Sequence, residues 1–549
     1  CDAANDTTVQ QLRQRKRRPA KAFALMAKNL AQIHEYCEMS DREQQELTSA
    51  AAPIVVLTVH RGNATLSAYL APDQTTLGFM LPYSPLHHLL MQQIGRPLVM
   101  TSGNASQEPQ CIDNQQALEK LGSIADYFVM HNRAIVNRID DSVVRLIDSE
   151  LQFYRRARGY APAPIAIPDG LDNGTPILAC GAELKNTFAL LRDQTVTLSQ
   201  HMGNLENLQT YDDYLKNLQL FQRIYQFTAQ AIVVDQHPEY LSSKLGKQFA
   251  LSNDLPLIEV QHHHAHITAC LADNGWQPEQ GPVLGVALDG LGLGADGSLW
   301  GGEFLLADYQ HYRRLGHFKP VALPGGSRAM LEPWRNTLAH LLANWRWDDL
   351  KQDYAQLDLI QFLKNKPVTT VQRMIEQGLQ SPLSSSCGRL FDAVAAALGL
   401  SRDSISYEGQ AAMQLEALID PQTLADARPY PFAIKQLKCL QFDPQPMWQA
   451  LLDDLAHGIN KARIAERFHQ TLAHAVAEIL LKLSAQTGIK TVALAGGVFQ
   501  NASLFQLIRS ALLANNFAVL GHRQVPANDG GLALGQAVIA ASRISTGEV

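Results

Sequence analysis

The sequence contains no Cys-x-x-Cys pair, no apolar run long enough to span a bilayer and no secretory leader. Its seven cysteines are scattered, so we expect no disulfide framework and a reducing, cytoplasmic location. The lack of long apolar runs gives no reason to expect a membrane partner. The chain also begins with a cysteine instead of a methionine, which suggests the trimmed remainder of something longer.

An excess of positive charge is absent as well. The formal net charge is −6 and the calculated pI is about 6.3, so bulk attraction to nucleic acid is not expected and any polyanion site must be local. At 549 residues the chain is too long for one hydrophobic core, and two to four domains are expected. Its content of 46% hydrophobic and 18% charged residues is typical of globular domains.

Prolines and glycines divide the chain. The clearest linker is the proline-rich stretch at 161–176, APAPIAIPDGLDNGTP, which predicts a domain boundary. Beyond it, two segments each read as a strand, a glycine turn and a returning strand: PILACGAELKNTFALLRDQTVTLSQHMG and PVLGVALDGLGLGADGSLWGGEFLLAD. Because this unit is used twice, with helices after each copy, we predict two similar lobes that face each other across a cleft.

Four histidines stand within five positions of the stretch QHHHAHITAC, residues 261–270. If the stretch is helical, His262 and His266 lie on one face and can reach a single cation. The alternative is that these histidines cap, hydrogen-bond and pack without a metal. The tract alone leaves both interpretations open, because a metal site needs at least one more ligand from elsewhere.

Basic and small polar residues gather before the linker. Taken alone, the stretch RQRKRRPAK at 13–21 indicates a solvated helix face or a nuclear signal. Further along come Ser102 and Asn104 in TSGNAS, Ser142 in DDSVVR and Arg156 in FYRRARG. Lysine and arginine supply charge for phosphates, and arginine adds a bidentate fork. Together these residues predict a site for a nucleotide triphosphate or a small anion.

The segments KRRP, SGN, DDSVVR and RRARGYAP in combination resemble the YrdC/TsaC family, whose members form carbamoyl-type adenylates from ATP. The resemblance covers roughly the first 165 residues and implies an α/β domain with a twisted sheet. The catalytic residues it implies are Lys16, Arg18, Ser102, Asn104, Ser142 and Arg156. The family's first strand and a glycine-rich segment would precede CDAAND and are absent from this sequence.

The glycine turns GAELKNT, LDGLGLGADG and LAGGVFQN resemble the nucleotide turns of the actin/Hsp70 (ASKHA) superfamily, in which backbone N–H groups approach phosphate oxygens. Within it the match narrows to the TsaD-like branch. The nucleotide-binding residues so implied are Lys185, Asn186, Gly388, Asp392, Gly409, Gly496, Gly497 and Asn501. The implied metal ligands are His262, His266, Asp289 and Asp529. Asp289 could instead be a turn aspartate, and the ligand types suit Zn²⁺, Fe²⁺ or Mn²⁺.

A YrdC-like domain followed by a TsaD-like domain in one chain resembles the HypF family of [NiFe]-hydrogenase maturation. The resemblance implies an adenylate-forming domain at 1–165, a linker at 166–176 and a two-lobed ASKHA domain at 177–549. Lobe I would cover about 177–280 and lobe II about 281–549. Family members also carry an acylphosphatase-like domain and a cysteine-rich zinc finger, neither of which is in this sequence, so we expect a C-terminal portion.

The resemblance also implies a reaction. ATP, with Mg²⁺, would convert carbamate derived from carbamoyl phosphate into carbamoyl-adenylate, and the carbamoyl group would pass to the C-terminal cysteine of HypE, on the path to the cyanide ligands. One alternative is an O-carbamoyltransferase that acts on an antibiotic-type hydroxyl, and another is tRNA threonylcarbamoylation. A non-catalytic actin-like or RNA-binding module is a third; it predicts salt-sensitive RNA binding and no pyrophosphate release.

Overall fold

The structure is a computed structural model that describes residues 1–60, 65–106, 108–171 and 174–548. It divides into two compact units, the first made of Cys1–Glu259 with His522–Val549 and the second of Val260–Gly521. No helix in the described part of the chain combines the length and the apolar character needed to cross a lipid bilayer.

The strands are β1 (Ala24–Met26), β2 (Ile54–Thr58), β3 (Thr76–Met80), β4 (Leu98–Met100), β5 (Val143–Ile147), β6 (Glu150–Arg155), β7 (Ile165–Ala166), β8 (Ile177–Ala179), β9 (Ala189–Arg192), β10 (Thr195–Leu198), β11 (Ala231–Asp235), β12 (Leu257–Val260), β13 (Val283–Leu293), β14 (Leu299–Ala307), β15 (Tyr312–Phe318), β16 (Val321–Ala322), β17 (Leu383–Ser384), β18 (Ala433–Gln436), β19 (Leu440–Asp443), β20 (Thr491–Ala495) and β21 (Ala518–Leu520).

The α-helices are α1 (Asp6–Arg15), α2 (Leu30–His34), α3 (Asp41–Leu47), α4 (Pro85–Gln93), α5 (Asn114–Leu121), α6 (Leu208–Ile224), α7 (Leu241–Ser252), α8 (His262–Asp273), α9 (Ser327–Leu331), α10 (Trp334–Leu342), α11 (Trp347–Asp353), α12 (Asp358–Lys364), α13 (Val368–Glu376), α14 (Cys387–Ala397), α15 (Gln410–Ala417), α16 (Pro421–Leu424), α17 (Gln445–Ala456), α18 (Lys461–Thr487), α19 (Ala502–Ala514) and α20 (Leu532–Thr546).

The first sheet of the first unit is mixed and has the strand order β4-β1-β3-β2-β5-β6. β1 runs parallel to β3 and β2 runs parallel to β5, whereas the other neighbours are antiparallel. Apolar residues of its strands, among them Leu25, Val55 and Phe79, are fully buried in one core. Helix α1 begins after Asn5, whose side chain accepts a hydrogen bond from Thr8 N. Lys16 is the C-cap that follows its last residue, so the end of the helix fixes the position of the Lys16 backbone.

The second sheet of the first unit has the order β12-β11-β8-β9-β10-β7. Its edge strand β7 pairs with β10, so the predicted linker at 166–176 begins within a strand, and its residues 172 and 173 lie outside the described residues. The last helix, α20, packs against β8 and β11 of this sheet. The sequence had indicated one lobe for 281–549, whereas residues from His522 onward belong to the first unit.

The second unit is built on the strand order β18-β19-β15-β14-β13-β20-β21, with β17 paired to β14 and β16 paired to β17. β13 and β14 form a long antiparallel hairpin whose register shifts between Leu288 and Gly292. β20 lies parallel to β13, and helices α8 and α14 pack on β13. This packing brings the histidine tract of α8 to the strand that carries Asp289.

The same strand order occurs in two sheets. β10-β9-β8-β11-β12 in the first unit repeats as β15-β14-β13-β20-β21 in the second. In each sheet, three consecutive strands pair antiparallel to one another. The first of these three has a parallel strand as its other neighbour, and one more strand lies beyond it. The predicted α/β fold, a twisted YrdC-like sheet followed by a strand unit used twice in the ASKHA manner, is confirmed.

Candidate functional site

The first turn of α8 presents two histidines to the same side. The side chain of Gln261 caps this helix, because its Oε1 accepts from His264 N at 2.9 Å, while its Nε2 donates to Leu293 O of β13 at 3.0 Å. One turn separates His262 from His266, and their ring centroids lie 4.8 Å apart. The helix is therefore anchored to β13 at the point where both imidazoles lie over that strand.

Asp289 of β13 faces both imidazoles. Its Oδ2 lies 3.5 Å from His262 Nε2 and 3.2 Å from His266 Nε2, and all three side chains are buried. Its Oδ1 accepts from the backbone N–H groups of Gly290 at 2.8 Å and Gly497 at 3.1 Å. Two amides thus fix one carboxylate oxygen and leave the other directed at the histidines.

This donor set fits a divalent transition metal. The three ligand atoms lie within 4.8 Å of one another. Ligand atoms about 2.1 Å from one tetrahedral ion would lie about 3.4 Å apart, close to both measured nitrogen–oxygen distances. Two imidazoles and one carboxylate suit zinc or iron alike. His262, His266 and Asp289 could therefore hold such a metal, and the identity of the ion is not fixed by the ligand types.

Electrostatics support an ionised carboxylate in this cluster. Burial raises the pKa of Asp289, but hydrogen bonds from His262 and His266 more than offset it, and the pKa is held well below its usual range. A deprotonated carboxylate is the form that binds a cation.

Asp529 belongs to the first unit, where it begins a short 3₁₀ turn, Asp529–Gly531, before α20. The turn is tied to the predicted phosphate hairpin, because Thr187 Oγ1 donates to Gly530 O at 3.1 Å. The side chain of Asn528 accepts from Gly530 N and so stabilises the turn. The assignment of Asp529 as a metal ligand stays a prediction.

The other two histidines of the tract are buried and have different partners. His263 Nδ1 accepts from Gln261 Nε2 at 3.1 Å, and its ring packs near Trp300. His264 Nε2 donates to Asp308 O at 2.7 Å. Burial lowers the pKa of His263 well below its usual value, so its ring is neutral. Both side chains anchor α8 to its surroundings.

The predicted adenosine turn lies against the cluster of His262, His266 and Asp289. Gly496 has φ of +100°, and a Cβ there would meet Leu288 O at 2.3 Å, so only glycine fits between β20 and β13. Its neighbour Gly497 donates to Asp289, as described above. Gly388, at the start of α14, also approaches this strand, with its would-be Cβ 3.0 Å from Gly290 Cα. Three predicted nucleotide glycines therefore surround the Asp289 segment.

Asn501 is held by a histidine that sequence reasoning missed. Its Oδ1 caps α19 by accepting from Leu504 N, and its Nδ2 donates to His469 Nε2 at 2.9 Å. His469 Nδ1 donates to Ala465 O one turn earlier, so its Nε2 accepts. Burial lowers the pKa of His469 to about 4, which keeps this acceptor available at neutral pH. Gly409, by contrast, has open space around it at the start of α15.

Asp392, the predicted ribose ligand on α14, is a buried carboxylate whose ionised form is disfavoured by its surroundings. It is 1% exposed, and its Oδ2 lies 3.0 Å from Arg389 Nη2 without the alignment of a hydrogen bond. Burial raises its pKa to about 6, despite the attraction of Arg389. A buried carboxylate with unused hydrogen-bonding capacity suits the hydroxyls of a ribose.

We expect Asp392→Asn to raise the free energy of unfolding of the nucleotide-free protein at pH 7.5, by up to about 3 kcal/mol for a shift of roughly two pKa units. The folded-state pKa lies above the ordinary value, so the carboxylate destabilises the fold fully above about pH 6. The gain should therefore shrink as the pH falls from 6 towards 4. Thermal unfolding across this range measures it, with the exposed Asp349→Asn as control; a gain independent of pH would contradict the explanation.

In the first unit, Lys16 meets the predicted Ser-x-Asn motif. Its ammonium donates to Thr101 Oγ1 at 3.1 Å, Ser102 O at 2.7 Å and Asn104 Oδ1 at 3.1 Å. Ser102 Oγ donates to the same Asn104 oxygen at 2.7 Å. Burial and the nearby Arg18 lower the pKa of Lys16 to about 8. The structure thus brings Lys16, Ser102 and Asn104 together, with Arg18 close enough to act on the lysine charge.

Arg18, Ser142 and Arg156 have local backbone partners. Arg18 Nε donates to Lys21 O at 3.1 Å and its guanidinium stacks over Phe23. Ser142 is fully buried, donates to Arg158 O at 2.9 Å and accepts from Ala157 N at 2.8 Å. Arg156 Nη2 donates to Tyr160 O and Ala163 O, both at 2.9 Å. The contacts of Ser142 and Arg156 shape the loop after β6, whereas those of Arg18 lie in the segment after α1. Catalytic roles for the three residues stay predictions.

The predicted phosphate hairpin of the first unit is held by hydrogen bonds of its own side chains and backbone. Asn186 is fully buried and its Nδ2 donates to Cys180 O at 3.1 Å and to Ala182 O at 2.5 Å. Lys185 has a positive φ of 47°, and its backbone N–H donates to Asn204 Oδ1 at 3.0 Å. Asn186 therefore supports the turn from inside, and the strained Lys185 is the residue of the pair that is partly exposed.

Sequence reasoning missed a cationic cluster within the first unit. Lys21 keeps access to solvent but lies deep among protein atoms, and burial together with Arg155, Arg18 and Lys185 lowers its pKa to about 8. The neighbouring His201 is neutral, because burial and Arg155 lower its pKa to about 3. Lys21 stands in the basic stretch 13–21, so the signal was present, but nothing in the sequence linked it to residues beyond the linker.

Three family models match the chain. The Sua5/YciO/YrdC model, described as telomere recombination, matches residues 1–157. The model of the HypF Kae1-like domain matches residues 172–273. A third model, described as the second subdomain of the carbamoyltransferase Kae1-like domain, matches residues 285–536.

Relatives and solved structures agree with these matches. Carbamoyltransferase HypF of Rhodobacter capsulatus is 43% identical over 552 residues, which cover 100% of this chain and 70% of the relative. Carbamoyltransferase HypF of Synechocystis sp. is 39% identical, and the matched residues cover 98% of this chain and 69% of the relative. The crystal structure of full-length HypF in the phosphate- and nucleotide-bound form has a TM-score of 0.92 at 37% identity. The match covers 99% of this chain and 69% of that chain. The crystal structure of T. kodakarensis HypF has a TM-score of 0.90 at 33% identity, and the match covers 100% of this chain and 71% of that chain.

Proposed function

This chain belongs to the HypF carbamoyltransferase family, and we propose that it activates carbamate as carbamoyl-adenylate and passes the carbamoyl group to the C-terminal cysteine of HypE. Carbamate comes from carbamoyl phosphate, ATP enters with Mg²⁺, and AMP and pyrophosphate leave. The acylated HypE then supplies the cyanide ligands of the hydrogenase. The observation that carries this proposal is the cluster of His262, His266 and Asp289 with the Gly497 amide on the same carboxylate.

Activation is assigned to the first unit. A carbamate oxygen attacks the α-phosphorus of ATP, the new P–O bond forms, and the bond to pyrophosphate breaks. The Lys16 ammonium, now held by Thr101, Ser102 and Asn104, would exchange these neutral oxygens for phosphate oxygens of the substrate. Preorganised positive charge in a partly buried site stabilises the charge that develops on the leaving pyrophosphate. Lys21 and Arg155 add positive charge for the anionic adenylate.

Transfer is assigned to the second unit. The HypE thiolate attacks the carbamoyl carbon, a C–S bond forms, and the C–O bond to AMP breaks. A metal bound by His262, His266 and Asp289 would supply Lewis-acid polarisation or neutralise phosphate oxygens. The Gly496–Gly497 turn lets the nucleotide approach the backbone, and Asp392 accepts from the ribose hydroxyls. The leaving AMP therefore stays bound through groups of this chain while the acceptor reacts.

Three cysteines of the chain, Cys180, Cys387 and Cys439, are poor candidates for the acceptor thiol. Cys180 and Cys387 are buried, and burial raises the pKa of both thiols, which disfavours the thiolate. The more accessible Cys439 also has a raised pKa, because partial burial outweighs Arg314. A nucleophilic thiolate is therefore better provided by the mobile end of a partner than by these residues.

The test is to incubate the chain with ATP, ¹⁴C-carbamoyl phosphate and HypE, and to locate the label by peptide mass analysis. We expect label on the last cysteine of HypE, and none on HypE in which that cysteine is serine. Parallel reactions contain an antibiotic-type hydroxyl acceptor or unmodified tRNA instead of HypE. Label on either of these, with none on HypE, would replace the proposed acceptor, and release of no pyrophosphate in any reaction would contradict adenylation itself.

A further inference from the structure

Ser386 lies at a junction that the proposed chemistry does not use. It is 5% exposed and stands between β17 and α14, immediately before the helix that carries Gly388 and Asp392. Its Oγ–H is shared between two backbone acceptors, Gly290 O, which is the closer, and Asp289 O at 3.1 Å. The same oxygen accepts from Arg389 N at 3.1 Å and caps α14. One hydroxyl therefore joins the backbone of a metal ligand to the first turn of the nucleotide helix.

The serine cannot move freely, because its neighbour is anchored to a buried ion pair. Ser385 Oγ donates to Glu303 Oε1 at 2.5 Å, and Glu303 is fully buried. Arg314 Nε donates to the other oxygen of Glu303 at 2.6 Å, and its guanidinium stacks over Trp300. The backbone N–H of Ser385 also donates to Leu299 O at 3.0 Å. Breaking such a buried pair leaves an uncompensated charge, so the arrangement resists displacement.

Close packing on the opposite side completes the constraint. A Cβ at Gly301 would meet Asp289 O at 2.8 Å and Ser386 Cα at 3.1 Å. Strand β14, strand β13 and the start of α14 therefore touch at backbone distance around Asp289. With Oδ1 held by two amides, the direction of Oδ2 towards the histidines depends on where this backbone lies.

We propose that Ser386 is a positioning residue that sets both the proposed metal ligand Asp289 and the nucleotide helix α14 without itself supplying a ligand. The inference rests on the proposed function, since it assigns a role toward the metal and nucleotide of that site. Loss of the hydroxyl removes the bond to the Asp289 backbone and the cap of α14 together, so metal affinity and nucleotide affinity fall together. Outer contacts of this kind change metal affinity by about 10–100-fold.

The experiment uses the full chain with Ser386→Ala and two independent readouts. Co²⁺ is titrated in the absence of nucleotide, with its visible absorption as the signal of the His262–His266–Asp289 cluster. The affinity for a non-hydrolysable ATP analogue is measured separately after removal of metal, in chains that also carry Lys16→Ala so that the signal comes from the second unit. We expect Ser386→Ala to weaken Co²⁺ binding about tenfold, to shift the cobalt absorption band, and to weaken nucleotide binding in the second unit.

Ser386→Thr keeps the hydroxyl and should keep both affinities and the band. Ser386→Gly removes the hydroxyl at little cost to the helix cap, so it should weaken Co²⁺ binding as Ser386→Ala does while nucleotide binding changes less, which secures the test if the alanine variant unfolds. Ser381→Ala is the matched control, because Ser381 is equally buried and its hydroxyl donates only to the local Leu379 O. Unchanged Co²⁺ binding in Ser386→Ala and Ser386→Gly would overturn the inference. If the unsubstituted chain bound neither probe, the proposed function would be wrong instead.

Discussion

Replacement of His262 and His266 together by alanine is expected to abolish carbamoyl transfer to HypE while ATP–pyrophosphate exchange keeps most of its rate. Both imidazoles face Asp289 Oδ2 within 3.5 Å, so their loss removes two of the three proposed ligands of this unit. Transfer should fall by at least about 100-fold, the usual scale for the loss of electrostatic stabilisation at a reacting carbonyl. Exchange uses residues of the first unit and should be spared. Bound metal, measured by elemental analysis, should fall with transfer.

The matched control for this experiment is His457→Ala with His474→Ala, which removes two exposed histidines from the same unit. This control variant should keep its bound metal, its carbamoyl transfer to HypE and its ATP–pyrophosphate exchange. Two outcomes would contradict the assignment. Equal loss of exchange in the His262/His266 variant would mean that activation and transfer are not separate reactions at separate sites. Full transfer without bound metal would mean that the histidines bind no functional ion.

Replacement of Lys16 by alanine is expected to have the reciprocal effect, with ATP–pyrophosphate exchange lost and Co²⁺ binding at the histidine cluster intact. The Lys16 ammonium has three oxygen partners and is the best-placed cation for the phosphates of ATP. Removal of one such preorganised charge costs roughly 100- to 1000-fold in rate. Exchange of labelled pyrophosphate into ATP measures it. Lys28→Ala, which removes an exposed lysine near β1, is the control and should exchange normally.

The pKa of Lys16 gives this prediction a second, independent readout. Burial and Arg18 lower the pKa to about 8, so the lysine is charged below that pH and neutral above it. If the charge is required, kcat/KM for ATP in exchange should fall as the pH rises through about 8. Lys16→Arg keeps its charge at every accessible pH, and whatever exchange it retains should lack that fall. An unchanged pH profile in Lys16→Arg would assign the titration to another group.

Much of the fold could be predicted from local pattern. The repeated strand, glycine turn and strand predicted two similar lobes, and the same strand order does recur in two sheets. The spacing of His262 and His266 predicted one helix face, because α-helical periodicity depends only on the chain itself. The glycine pair at 496–497 indicated a turn after a buried strand, and the structure adds that Gly496 packs against Leu288 O, while its role toward a nucleotide stays a prediction.

The sequence could not separate residues that bind a ligand from residues that support the fold. Ser142 and Asn186 carry suitable groups at expected places, and the structure adds that both are fully buried with backbone partners, while their roles toward a ligand stay predictions. Conversely, Lys21 belongs to a stretch that indicated a solvated helix face, and it does keep access to solvent, but desolvation together with the positive charges of Arg155, Arg18 and Lys185 lowers its pKa to about 8. A side chain's chemistry is local, whereas its burial and its neighbours are set by distant segments.

The sequence by itself therefore determined the elements: the histidine face of α8, the glycine turns and the caps that begin the helices. Only the tertiary structure decided which distant residues meet. It placed Asp289 over two imidazoles, gave its second oxygen to the amide of Gly497, and joined its backbone to α14 through Ser386. The physical reason is that hydrogen-bond and packing partners far apart along the chain are selected by how strands and helices pack, and no local pattern records that selection.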